Sequence, residues 1–192
     1  MPPLTDAMPI VVAPLIGFAL GAVLAWIAAP SVARCEGPLV TSRPYVIVAF
    51  FALCVWLPVT GYFLAFHGDW SYLYLISWQR VPSAIDLGLV LLATASVVVG
   101  FSGASHPVRR RRFDALAAMV LTPTTLAILV LGAAWQRLLI SGTYAQFHGD
   151  FGTQPLASSV LGSGALLMAS VLVAGIGWTT YWLLHLDGAE EQ

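Results

Sequence analysis

Residues 83–101 read SAIDLGLVLLATASVVVGF. Apart from Asp86 the stretch carries no charge, and as a helix it would run about 28 Å, close to the about 30 Å hydrocarbon core of a bilayer. It is too long and too evenly apolar for one face to be turned to water. Working outward, four more segments share this character: Ile10–Ala29, Tyr45–Phe66, Ala115–Trp135 and Ser158–Leu184. The last is long enough to tilt or to run past the interface. The sequence therefore predicts an all-α polytopic transmembrane helical bundle of about five spans, forming a single domain over residues 1–192.

Composition agrees. Of 192 residues, 59% are hydrophobic and 9% charged, against roughly 25% charged in a soluble domain. The formal net charge is -1, which gives no attraction to nucleic acid. No lysine is present, so all eight cations are arginines. A lysine Schiff base and a P-loop lysine are excluded. The start of the chain lacks the basic region of a secretory signal, and the first segment is expected to be a retained span. Cys35 and Cys54 are expected on a loop and in a helix, too far apart for a disulfide.

Arginine placement sets the expected orientation. With the N-terminus outside, the cytoplasmic loops hold Arg34, Arg43 and the run Arg109, Arg110, Arg111 and Arg112, and the outer side holds only Arg80 and Arg137. This is the arrangement that the positive-inside bias favours, with the C-terminus cytoplasmic, and it points to a cell inner membrane. Trp178, Tyr181 and Trp182 fit an inner aromatic belt, and Trp70, Trp78 and Trp135 an outer one. The run of four arginines reads as a topology signal, or as a patch for anionic lipid headgroups.

Two stretches echo each other: GYFLAFHGDW at 61–70 and GTYAQFHGDF at 142–151. Each precedes a proline and another span, and those spans share Ala95-Ser96-Val97 and Ala169-Ser170-Val171. The pattern suggests one helix plus two repeated helical hairpins, as in some transporters. It also defines the strongest chemical candidate, His67, Asp69, His148 and Asp150. Two imidazoles and two carboxylates could hold a transition metal, or the histidines could ligate a haem axially. The competing reading is structural: His in a last turn, Gly at the left-handed cap and Asp opening a loop end a helix well.

Asp86 is the acid nearest a span. It fits a Ser-x-x-Asp capping pattern with Ser83, a salt bridge to Arg80 or Arg137, or an ion path formed with those arginines. Thr122, Thr124 and Thr125 flank Pro123, and their hydroxyls can satisfy carbonyls that the proline frees. Small residues form stripes, with Gly17, Gly21 and Ala25 on the first span, Gly88 on the third and Gly162 on the fifth. Such stripes let helices approach closely in lipid, within one chain or between subunits.

No activated nucleophile, zincin motif or dinucleotide fingerprint is present, and the balance is against an enzyme. The leading expectation is an integral membrane structural or accessory subunit, packing through small-residue faces into a homo-oligomer or a larger membrane complex. A metal- or haem-binding membrane protein and a small-molecule or ion transporter are the alternatives.

Overall fold

The structure, a computed structural model, describes residues 7–61, 84–140 and 155–186, with side-chain surroundings for 11–61, 87–133 and 166–186. Among these residues it is helical throughout. The long helices are α1 (Ala7–Ile27), α3 (Arg43–Gly61), α4 (Ala84–Arg109), α5 (Phe113–Ile140) and α6 (Pro155–His185), and a short α2 (Ala29–Arg34) follows α1. Four of them, α3 to α6, are long and apolar enough to cross a membrane, and the apolar part of α1, Val11–Ile27, is shorter. The protein is a helical membrane bundle of about five spans.

Local sequence explains the helix ends. Pro30 cannot donate a backbone hydrogen bond, and α1 gives way to α2 just before it. Helix α4 runs to Arg109, eight residues past the expected span, through the polar stretch that begins at Ser102. The hydroxyls of Ser102 and Ser105 donate to the carbonyls of Val98 and Phe101, 2.8 and 2.7 Å away, so these residues join the helix without orphaned polar groups. It ends in a tight turn. Arg112 N–H donates to Pro107 O at 2.9 Å, Arg111 N–H donates to Val108 O at 3.0 Å, and Arg111 takes the left-handed conformation with φ 52°. This is a Schellman cap with arginine at the position glycine usually takes. Three of the four arginines follow the last helical residue of α4, where cations suit the helix dipole.

Helix α3 contains a wide π turn at Ala52–Trp56, two residues before Pro58. Leu57 N–H reaches back five residues to Ala52 O. The turn relieves the clash between the proline ring and the preceding turn. Thr60 then donates its hydroxyl to Trp56 O at 2.8 Å. Helix α5 continues through Pro123. Of the flanking threonines, Thr124 donates to Val120 O at 2.7 Å.

The core is built on α1, α3 and α4. Helices α1 and α4 run parallel and share the most extensive contact in the molecule. A Cβ on Gly17 would overlap Ser96 and lie 2.9 Å from Ala93 O; one on Gly21 would overlap Val97 O; one on Gly100 would overlap Phe18 O. The two backbones touch, and only glycine fits at these three positions. Helix α3 closes the triangle. Trp56 Nε1–H donates to Ala93 O at 3.0 Å, and Ser96 donates its hydroxyl to the same carbonyl at 2.6 Å. Phe101 is fully buried and meets Tyr45 edge-on at 6.3 Å. Helix α5 lies on the α1 flank of this triangle and α6 on the α3 flank.

Candidate functional site

Helix direction gathers the arginines. The C-terminal ends of α1, α4 and α6 and the N-terminal ends of α3 and α5 share one face. Arg34, Arg43 and Arg109 to Arg112 all lie on it, and all six are exposed. Trp178, Tyr181, Trp182 and His185 cluster at the same end of α6, with His185 stacked on Tyr181 at 4.2 Å and its Nδ1 2.8 Å from Tyr181 O. Asp86, near the start of α4, and Arg137, near the end of α5, are placed by their helices at the opposite end. Their side chains, and His67, Asp69, Arg80, His148, Asp150 and both His-Gly-Asp turns, lie outside what is described. Among the described residues no three His, Cys, Asp or Glu side chains come together, and both cysteines are free thiols.

The small residues divide into two groups. Gly17, Gly21 and Ala25 are buried, the two glycines against α4. Among the described residues Gly88 has no neighbour within 4 Å of where a side chain would begin, and the same holds for Gly132 on α5 and Gly177 on α6. Gly162 lies on the part of α6 whose surroundings are not described.

The largest concavity with a defined lining lies between α3 and α6. It is a groove of about 1030 Å³ running from Arg43, Leu186 and His185 at the arginine face to Val55 and Val171 deeper in the bundle. Its walls are apolar and aromatic, with Phe50, Phe51, Trp178 and Trp182 prominent. The two helices meet where Gly175 faces Val55; a Cβ there would come within 2.5 Å of a valine methyl. At the arginine face the groove borders a second pocket of about 210 Å³, lined by Ser31, Arg34, Cys35, Ser42, Arg43, Pro44 and Leu186. Arg43 and Leu186 belong to both linings. An apolar slot thus lies beside a polar pocket that has two guanidinium groups and, among the described residues, no carboxylate in its lining. A third concavity of about 610 Å³, between α1, α4 and α5, is apolar apart from Ser96 and Thr122 and includes Pro14 and Pro123.

Sequence reasoning took Arg34 and Arg43 only as topology markers. Their convergence depends on α2 folding back beside the start of α3, which Pro30 at one end and Pro38 and Pro44 at the other could have suggested. Pro58 followed by Thr60 was the available signal for the π turn that forms part of the groove wall.

No protein-family model, curated protein or solved structure matches the chain.

Proposed function

We propose that the chain is an integral membrane structural or accessory subunit that works by assembling with other membrane helices. The observation that carries this reading is the trio of open glycines, Gly88, Gly132 and Gly177, one on each of α4, α5 and α6. A glycine inside a helix costs roughly 0.5–1 kcal/mol relative to alanine. At Gly17, Gly21 and Gly100 close helix contact offsets that cost. At the open positions nothing among the described residues does, and a helix from another copy or another protein would. The positive-inside bias favours an inner-membrane location with the N-terminus outside.

The test is native mass spectrometry of the chain released from mild detergent, run beside Gly132→Leu and Gly177→Leu. The expected result is an oligomer or a co-purifying partner for the parent chain, and dissociation to a stable monomer in at least one variant. A parent chain that stays monomeric and alone in several mild detergents and in nanodiscs overturns the assembly reading.

A further inference from the structure

We propose that the α3–α6 groove and the pocket at its end hold one acidic phospholipid from the arginine-rich leaflet. Its phosphate sits between Arg34 and Arg43, and an acyl chain lies along Phe50, Val55 and Trp178. This goes beyond the assembly reading and does not depend on it.

Three features of the site select this occupant. The first is the order of its chemistry. A long apolar compartment adjoins, at Arg43 and Leu186, a small polar one. A lipid has that order, an alkyl chain ending in a charged headgroup. The second is charge. Two guanidinium groups and two serines line the polar pocket, and among the described residues neither lining contains Asp or Glu. Among the described residues Arg43 has no hydrogen-bond or ion-pair partner. It is also the first residue of α3, where the positive end of the helix dipole disfavours a cation. A phosphate would compensate both, and the planar guanidinium suits phosphate oxygens in pairs.

The third feature is length, and it separates a lipid from a partner helix. From Arg43 to Val55 the groove follows α3 for about 18 Å. One leaflet contributes about 15 Å of hydrocarbon, and a transmembrane helix needs about 30 Å. The groove fits one leaflet. Trp182 lines it near the same end, at the level where tryptophan rings collect beside headgroups. The run Arg109–Arg112 lines neither compartment, so this site is separate from any headgroup patch there.

The experiment uses the full-length chain, first as purified in mild detergent and then after delipidation. Native mass spectrometry follows titration with phosphatidylglycerol, phosphatidylcholine or inorganic phosphate. The parent chain is expected to retain one acidic phospholipid and, after delipidation, to rebind one phosphatidylglycerol in preference to phosphatidylcholine. The double variant Arg34→Gln/Arg43→Gln is expected to bind phosphatidylglycerol about 30-fold more weakly, as the loss of two cation contacts implies. Ala174→Trp, which fills the groove without changing charge, is expected to lose the bound lipid. Helix content by circular dichroism and monodisperse elution check that both variants fold. Equal binding of phosphatidylcholine by the parent chain overturns the proposal, and this comparison needs no variant. Saturation by inorganic phosphate at the affinity of the lipid assigns the pocket to a soluble anion and also overturns it. A polypeptide cross-linked at the groove in place of lipid does the same.

Discussion

The α1–α4 seam and the α3–α6 contact both depend on glycine, yet one is sealed and the other is open. At the seam, Gly17, Gly21 and Gly100 bring backbone against backbone, and beside it Trp56 of α3 donates a hydrogen bond to a carbonyl of α4. At the other contact, Gly175 meets the methyls of Val55, and a large groove remains beside it. Burial follows the same division. In its apolar window α4 is 39% buried and α6 only 11%. Glycine permits close approach in lipid, but sealing needs it at several levels of the contact, because dispersion contacts fade within an ångström of separation. A single glycine makes a pivot point, and the space beside it becomes available to a ligand.

The most forceful way to break this contrast is to put side chains into the seam. Gly21→Val, or Gly100→Val, drives a branched side chain into the backbone of the facing helix. Each is expected to cost about 3 kcal/mol, the upper part of the usual overpacking range. Reversible unfolding in mixed micelles would register it, and a loss below about 1 kcal/mol would mean that the two backbones do not touch there. Trp56→Phe removes the indole donor to Ala93 O and keeps most of the ring. Hydrogen bonds within membranes average about 0.6 kcal/mol, so a loss of about 1 kcal/mol is expected with the imperfect fit included. Near-UV circular dichroism of the remaining tryptophans should show whether the core stays ordered.

Arg111→Gly tests a join outside both contacts. Glycine accepts the left-handed conformation without steric cost, so a gain of about 0.5–1 kcal/mol is expected in the same unfolding assay. A loss would show that the guanidinium contributes more than its backbone strain costs. The smallest effect belongs to Gly175→Ala. The improved helix propensity opposes the contact with Val55, and α6 has the groove to move into. The net change should stay within about 0.5 kcal/mol. If it matched the Gly21→Val loss, the contrast between the two contacts would collapse.

Much of this fold could be read from the amino acids. Residues 83–101 and their counterparts announce spans by length and charge alone, and the four-residue spacing of Gly17, Gly21 and Ala25 marks a face that the structure buries. What could not be read is which flank each helix turns to its neighbours. In water, apolar periodicity points to the core; in lipid the outside is as apolar as the inside, and that signal is lost. Gly21 and Gly88 look alike in sequence and differ only in what stands opposite. The groove was hidden for the same reason, since Phe50, Val171 and Trp178 are as suited to facing lipid as to lining a slot. Polar residues kept more information. Arg43 reads as a cytoplasmic-loop cation, but its convergence with Arg34 needed the prolines around residues 30–44 to set the path of the chain. The expected metal or haem ligands lie outside the described residues and are unchanged as an expectation.

The Schellman turn at Arg109–Arg112 has a consequence for how the protein is made. It joins α4 to α5 with almost no connecting chain, and its closed end carries four guanidinium groups. Each arginine drawn through the middle of a bilayer costs about 2.5–3.5 kcal/mol on insertion scales, so in the proposed orientation the tip of this hairpin stays on the side where it is synthesised. The two helices then enter as one unit with their other ends leading, and the sharpness of a four-residue turn determines which neighbouring helices arrive in the membrane together.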